Sequence, residues 1–157
     1  MFNRKLDFKY PALSISTVIA MLLLLNTSTP TTMAQSLLSR EQIEAMVVKQ
    51  ALAWENQNAE AIADDFADDA VFIAAGFEFL GKQKIEQAAR DYFKQFHQTN
   101  VEIKNIIVED NKGAVEWDWR DRERKTGEEG FAEDAIVFEL TEGKITYWRE
   151  YIEKKKP

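Results

Sequence analysis

The stretch DAIVFELTEGKITYWREYIE, residues 134–153, consists of two strand-like segments separated by a turn. Apolar and polar residues alternate in the first segment, so one face carries a carboxyl group among apolar side chains: Asp134, Ile136, Phe138 and Leu140. The TEGK sequence between the segments has the composition of a turn. Both faces of the second segment mix apolar and polar residues, which leaves its inward face open and is typical of a strand that is central or covered by a partner subunit. The stretch therefore predicts a β-hairpin with Asp134 on its inner face.

The segment before this hairpin, AVEWDWRDRER at residues 114–124, predicts another half-buried strand. Trp117 and Trp119 share one face of it, and charged residues occupy the other face. A further strand is predicted at residues 101–109, with an irregularity near Asn105 where its apolar face switches. The turn sequences DNKG and TGEEG connect these segments. The second half of the chain therefore predicts a four-stranded antiparallel meander.

Helical periodicity precedes the meander in three places. The first helix begins at a capping box formed by Ser39 and Gln42, and its apolar stripe runs to Trp54. A short second helix is predicted at residues 59–67, followed by a pair of short strands that reverse at a glycine. The third helix is predicted at residues 82–96. This order of elements indicates an α+β fold.

Two polar side chains fall on the apolar stripes of these helices, Gln50 on the first and Tyr92 on the third. A buried amide must be hydrogen-bonded, so Gln50 either pairs with nearby backbone or lies in a pocket. Tyr92 is either a core tyrosine with its hydroxyl at the edge of the core or a polar contact for a ligand. Both residues are therefore candidates for ligand binding.

The N-terminal region has the layout of a secretory signal. Arg4, Lys5 and Lys9 precede the apolar run ALSISTVIAMLLLL, and the polar segment after it ends in small residues. The apolar run is shorter than the ~20 residues that a membrane-spanning helix needs. We therefore expect cleavage near Ala34, no stable membrane insertion afterwards, and a periplasmic or secreted protein. Residues 35–157 then form one domain.

The charge and the rare residue types exclude several classes of function. Removing residues 1–34, which carry three Lys or Arg and one Asp, changes the formal net charge from −7 to −9. Such an acidic surface repels phosphate backbones and anionic lipid headgroups, so we expect no nucleic-acid partner. The chain has no cysteine and one histidine, His97 at the end of the third predicted helix. No metal site of the usual kind, no lipid-anchored cysteine and no nucleotide-binding motif are expected.

Three segments carry a family resemblance: AWENQNAEAIADDFADDAVFI at residues 53–73, GKQKIEQAARDYF at residues 81–93, and the hairpin at residues 134–153. With the strands between them, they resemble the nuclear transport factor 2-like superfamily, which includes SnoaL-like polyketide cyclases and ketosteroid isomerase. The resemblance implies a cone-shaped, curved antiparallel sheet wrapped around three N-terminal helices, a cystatin-like arrangement. It also implies a homodimer. It does not fix a function, because this fold hosts isomerases, cyclases, hydrolases and non-catalytic modules.

The resemblance to ketosteroid isomerase is partial at the catalytic residues. Gln50 stands where that enzyme has the tyrosine of its oxyanion hole, and Ala74 stands where it has the general-base aspartate. Asp134 stands where it has a protonated aspartate. Isomerisation of the steroid type by these groups is therefore not expected, and one inward carboxyl group remains.

Asp134 and Glu150 are the candidate catalytic residues. Apolar side chains and tryptophans around a carboxyl group raise its pKa toward neutrality, which makes it a usable acid or base. The alternative is that Asp134 is ionised and wet at the mouth of the cone, or neutralised by an arginine. If the last strand follows the phase of the isomerase, Trp148, Glu150 and Ile152 face the cavity. Glu150 is then a second acid, and Asp121 marks the rim.

Four tryptophans border the same interior if these faces are correct: Trp54, Trp117, Trp119 and Trp148. The main chain cannot fill the open end of such a cone. Four tryptophans around it therefore suggest a pocket for a flat or elongated apolar molecule. The first hypothesis is an exported domain that binds an apolar or aromatic small molecule in this pocket, with Gln50 and Tyr92 among its polar contacts. One alternative is a cyclase, isomerase or lyase that uses a pocket carboxylate and needs no cofactor. Another is a non-catalytic homodimerisation module.

Overall fold

The computed structural model describes residues 38–155, so the expected signal segment at residues 1–34 lies outside the described residues. Within these residues, three helices and six strands follow one another in the order α1 Arg40–Glu55, α2 Ala59–Asp64, β1 Phe66–Ala74, β2 Phe77–Leu80, α3 Lys82–Gln95, β3 Phe96–Glu109, β4 Lys112–Glu123, β5 Glu129–Thr141 and β6 Lys144–Lys155. This confirms the predicted α+β fold, with a strand pair before the third helix and a four-stranded meander after it.

The start of α1 follows directly from its sequence. The Ser39 hydroxyl accepts a hydrogen bond from the backbone N–H of Gln42, and the Gln42 side chain accepts one from the backbone N–H of Ser39 at 2.8 Å. This capping box satisfies two of the otherwise unpaired donors of the first turn. Downstream, Ile43, Val47 and Trp54 lie on the buried face, as the helical spacing predicts.

All six strands form one curved, open sheet in the order β2-β1-β6-β5-β4-β3. The meander β3 to β6 is antiparallel throughout, as is the pair β1 and β2. In one place the sheet differs from the expected antiparallel arrangement, because β1 and β6 are parallel. A parallel pairing needs a long connection, and here α3 and the four strands β2 to β5 supply it. The two-sided composition of the last strand fits its position, because β6 lies between β1 and β5.

Two register shifts decide which side chains face the helices. In β5 and β6, Leu140 is paired with Ile145 but Glu139 with Tyr147, so Thr146 is an extra residue that changes the phase of β6. As a result Ile145 and Trp148 are both buried, which settles the face that periodicity left open. A second shift in β3, between Ile103 and Asn105, confirms the irregularity predicted there.

Two predicted helix ends are wrong because sheet pairing competes with helical periodicity. The second helix ends at Asp64 rather than at residue 67, and Phe66 begins β1 opposite Ile145. The third helix ends at Gln95, so His97 lies in β3, not at a helix end. Between residues 38 and 155, no helix has the length and apolar character needed to cross a membrane.

Candidate functional site

Three carboxyl groups lie on the inner face of the sheet or at its end, and each accepts a hydrogen bond from an indole N–H. Trp117 Nε1 donates to Asp134 Oδ2 at 3.2 Å, and Trp148 Nε1 donates to Glu150 Oε1 at 3.0 Å. Trp119 Nε1 donates to Asp121 Oδ2 at 3.2 Å. The tryptophans therefore hold and orient the acidic groups as well as packing in the interior.

The strand register brings Asp134 and Glu150 together. Asp134 on β5 lies opposite Trp117 on β4 and opposite Ile152 on β6, while Glu150 lies opposite Ile136. Asp134 and Glu150 are therefore diagonal neighbours on one face of adjacent strands, a spacing within reach of long side chains. The sequence placed Asp134 inside, and it placed Glu150 inside only if the last strand follows the phase of the isomerase. The Thr146 shift gives β6 the phase in which Glu150 lies opposite Ile136.

Burial dominates the electrostatics of Asp134. The residue is 6% exposed, and this desolvation raises the pKa of its carboxyl to about 6, with a contribution from the nearby Asp118 charge. The hydrogen bond from Trp117 acts in the opposite direction. Its second oxygen, Oδ1, is buried and receives no hydrogen bond from any donor in residues 38–155. Asp134 is therefore buried and not at a wet mouth of the cone, and none of the described ion pairs joins it to an arginine.

The pKa of Glu150 is shifted further from its ordinary value than that of Asp134. Desolvation, with the Asp134 charge as a smaller cause, raises the pKa of Glu150 to about 8, against the lowering effect of the Trp148 hydrogen bond. Its carboxyl lies deep among protein atoms, yet the residue keeps partial solvent exposure. Because the two carboxyl groups interact, they titrate as a pair that holds one proton near neutral pH.

A second hydrogen-bonded group lies beside the first and joins α3 to β4. The Tyr92 hydroxyl donates to Asp121 Oδ2, and Trp119 Nε1 also reaches the Tyr92 oxygen at 3.0 Å. Desolvation, and next the hydrogen bond to Asp121, raise the pKa of Tyr92. Tyr92 therefore stays protonated and acts as a donor. Its hydroxyl is committed to Asp121, which the sequence reasoning had placed only at the rim.

The four tryptophans form one continuous series of ring contacts. Trp54 contacts Trp119, Trp119 contacts Trp117, and Trp117 contacts Trp148, with ring centroids 5.5, 6.1 and 5.9 Å apart. They share one interior, as the face assignment predicted. Trp117 and Trp148 are each 1% exposed and Trp54 is 8% exposed, so these three rings fill the interior. Trp119 alone among the four is partly exposed.

Gln50 has a structural role that connects α1 to the end of α2. Its Nε2 donates to the Ile62 carbonyl and to Asp65 Oδ2, both at 2.9 Å, and Lys49 binds the other Asp65 oxygen at 2.6 Å. Both amide hydrogens are therefore used inside the fold. The structure places Gln50 away from the carboxyl pair's hydrogen bonds, in agreement with the backbone-paired interpretation. Asp65 belongs to the acidic run DDFADD, and nothing in the sequence distinguished it from the other acids as the partner of Gln50.

Two concavities open at the surface of the sheet. One, of about 810 Å³, opens on the outer face of the sheet and is lined there by Lys104, Glu116, Asp118, Glu133, Tyr151 and Glu153; Trp117, Asp134 and Ile152 also border it. The other, of about 420 Å³, lies at the strand ends beside Asp121 and Phe131. Trp117 borders the first concavity, and neither concavity is lined by Trp54, Trp119 or Trp148. Within residues 38–155, no three acidic, histidine or cysteine side chains are grouped so as to hold a metal ion.

Comparison with known proteins places these observations in a family. The family model described as a SnoaL-like domain matches residues 47–148. No curated protein matches the chain.

Solved structures with similar folds have low sequence identity. An LEH-like epoxide hydrolase from M. tuberculosis is 20% identical over 72% of this chain and 84% of that chain, with a TM-score of 0.63. A ketosteroid isomerase-like protein from Erwinia carotovora atroseptica SCRI1043 is 19% identical over 74% and 96%, with a TM-score of 0.61. A candidate SnoaL-like polyketide cyclase from Jannaschia sp. CCS1 is 14% identical over 72% and 86%, with a TM-score of 0.64. At these identities the likeness establishes the fold alone.

Proposed function

We propose that this chain, which belongs to the SnoaL-like domain family, binds a small apolar molecule at the inner face of its sheet and transfers a proton there. The residues proposed for the chemistry are Asp134 and Glu150. This is the cofactor-independent lyase, cyclase or isomerase alternative among the sequence-based hypotheses. It is preferred because the interior holds a pair of acids and not merely an apolar lining.

One observation carries the proposal: two neighbouring inner-face carboxyl groups have pKa values displaced toward neutrality and away from each other. The pKa of Asp134 is about 6 and that of Glu150 about 8. At pH 7 the pair therefore contains one ionised carboxylate and one carboxylic acid. Pairs of titratable groups with separated pKa values are the usual arrangement for an acid and a base at one site.

We propose a separate role for each of the two groups. Asp134 is the base, because its Oδ1 is free of protein donors in the described residues and can accept a proton from a bound molecule. Glu150 is the acid, because it is protonated at neutral pH and partly exposed. The indole hydrogen bonds from Trp117 and Trp148 hold the two carboxyl groups in place while a proton moves. This chemistry needs no redox step.

The test is proton exchange by a panel of carbon acids in D2O, followed by proton NMR. The panel contains 2-tetralone, phenylacetone and acetophenone, which are apolar and aromatic and lose an α-proton to a base. We expect residues 35–157 to accelerate exchange of at least one of them, and Asp134→Asn to reduce that rate by roughly 10²-fold or more. Glu153→Gln, on the outer face of the same sheet, is the matched control and should keep the rate. Equal rates for the wild type and Asp134→Asn across the panel would contradict the proposal.

A ligand-binding domain without chemistry is the second candidate, favoured by the partly exposed Trp119 beside Tyr92 and Asp121. A partly exposed aromatic ring beside a carboxylate suits the binding of an aromatic molecule. The two candidates differ in their response to Asp134→Asn. A binder keeps its ligand and its ligand-dependent rise in melting temperature, whereas an enzyme loses turnover.

Export and self-association are further proposals from the sequence. The outer face of the sheet supports a homodimer, because Val137 and Tyr151 are 39% and 53% exposed there among paired charges. Native mass spectrometry of the protein from its exporting host tests both proposals. We expect the mass of two chains that each begin at Gln35. A single-subunit mass would contradict the dimer, and a retained N-terminal segment would contradict cleavage.

A further inference from the structure

The inner face of the sheet has an uncompensated negative charge. The ion pairs among residues 38–155 lie on the helices, the turns and the outer face, and none includes Asp121, Asp134 or Glu150. The charges that act on Asp134 and Glu150 are those of other carboxylates, Asp118 and Asp134 respectively. A buried negative charge is expensive unless a cation or several donors stabilise it.

A second, independent observation concerns a single atom. Asp134 is only 6% exposed, and its Oδ1 has no hydrogen-bond donor in the described part of the chain. Its other oxygen already accepts the Trp117 N–H. Buried acceptors without a donor are rare in folded proteins and cost free energy. The site therefore lacks one hydrogen-bond donor, and a bound molecule can supply it.

Aromatic rings surround the same place. The indoles of Trp117 and Trp148 border the two carboxyl groups through their N–H bonds and contact each other at 5.9 Å between centroids. Both rings present their N–H edges to the carboxyl groups, so they contribute an apolar wall beside the acids. Carboxylates next to aromatic rings are the combination that recognises an ammonium group with an apolar body.

We propose that the molecule bound at this site is a protonated amine with an aromatic or apolar body, whose N–H donates to Asp134 Oδ1. The positive charge lies between Asp134 and Glu150, and the apolar body extends toward the partly exposed Trp119. This inference rests on the proposed function, since it names the substrate class of the same site. The protonated amine supplies the hydrogen-bond donor and the positive charge that the protein lacks at this site.

Proton linkage gives the proposal a measurable consequence. A cation next to a carboxyl group favours the ionised form and lowers its pKa. Glu150 is protonated at pH 7, so an amine that binds beside it causes the release of a proton. The affinity for a charged ligand therefore increases as the pH rises from 6 to 8, while that for a neutral ligand does not.

Three probes of similar shape separate charge from the hydrogen-bond donor. N,N-dimethylbenzylammonium has a charge and an N–H, benzyltrimethylammonium has a charge without an N–H, and 2-methyl-1-phenylpropan-2-ol is neutral with an O–H. Titrations of residues 35–157 are followed by the indole N–H resonances of Trp117 and Trp148 in proton–nitrogen NMR spectra. We expect the tertiary ammonium to bind roughly tenfold more tightly than the alcohol and more tightly than the quaternary ion.

Variants make the outcome specific to the site. Asp134→Asn should remove the preference for the ammonium over the alcohol, and Glu150→Gln should remove the rise in affinity between pH 7 and 8, where Asp134 is already largely ionised. Glu153→Gln should change neither. Tighter binding of the alcohol, a preference that survives in Asp134→Asn, or no indole shift with any probe would overturn the proposal.

The result is distinguishable from the exchange experiment with carbon acids. An ammonium preference without catalysed exchange would support the amine inference and contradict proton transfer. Catalysed exchange of neutral ketones without an ammonium preference would support proton transfer and contradict the amine inference.

Discussion

Replacing Glu150 with glutamine is expected to stabilise the protein at alkaline pH, on the order of 4 kcal/mol at pH 9. In the folded protein, burial raises the pKa of Glu150 from 4.5 to about 8, so the ionised form is disfavoured relative to the unfolded chain. A tenfold change in the acid dissociation constant corresponds to about 1.4 kcal/mol, and partial solvent exposure reduces the full figure. Glutamine removes the ionisation and keeps an oxygen for the Trp148 N–H.

The sign and the pH window follow from the direction of the shift. Below pH 4.5 Glu150 is protonated in both states and costs nothing. Between pH 4.5 and 8 the unfolded chain releases the proton while the folded chain keeps it, so the stability of the wild type falls with rising pH. Asp134 contributes in the same direction between 3.8 and about 6. The difference between the wild type and Glu150→Gln should therefore grow from pH 5 to pH 9.

Urea denaturation at pH 5, 7 and 9 measures this difference. Glu153→Gln is the control, because Glu153 is on the same strand but has an exposed side chain paired with Lys155 on the outer face. An exposed ion pair of that kind is worth ~1 kcal/mol or less. If Glu150→Gln and the wild type have parallel pH profiles, Glu150 is solvated in the folded state and cannot serve as the acid.

The position of Asp134 could be predicted from the sequence, whereas the phase of the last strand could not. Asp134 shares an alternating pattern with Ile136 and Phe138, and such a pattern specifies the face strongly when one side is buried. In β6 the inward face depends on the extra residue Thr146. That residue has no local signature, because it is defined only by the pairing of β6 with β5.

Helix ends were missed for a related physical reason. Phe66 and His97 continue helical patterns in the sequence, but each has a strand partner far along the chain, Ile145 and Arg122 respectively. Hydrogen bonding and burial in the sheet outweigh a local periodicity that extends by only one or two residues. Which distant strand a residue pairs with is decided by the tertiary structure, so the local sequence does not reveal it.

Part of the site was readable from local spacing. Trp148 and Glu150 are two residues apart, as are Trp119 and Asp121, and residues two apart on a strand share a face. This spacing was a signal for both indole–carboxylate bonds. The hydrogen bond between Trp117 and Asp134 joins the adjacent strands β4 and β5, so it could be predicted only from the register of that strand pair. The tryptophans were predicted to line a pocket, and their hydrogen bonds to the acids were not anticipated.

Truncation of Trp148 is the second large effect we expect. Trp148→Ala should lower the free energy of unfolding by about 4 kcal/mol, because it removes a large, fully buried ring and leaves a cavity. The ring is 1% exposed and contacts Phe138, Trp117 and Phe66 at centroid distances of 5.7, 5.9 and 6.2 Å. Phe77→Ala, an aromatic truncation at a residue that is 66% exposed, should change stability by less than about 0.5 kcal/mol.

Trp148→Phe separates packing from the hydrogen bond. Phenylalanine retains most of the ring contacts, so the loss of stability should be about half that of alanine. It cannot donate to Glu150, however, and that donor is the group that lowers the pKa of this carboxyl. The pKa of Glu150, followed by carbon-13 NMR of its carboxyl, should therefore increase beyond its wild-type value in Trp148→Phe. An unchanged pKa would mean that Trp148 serves the core alone, and the indole would then have no part in holding the acid for proton transfer.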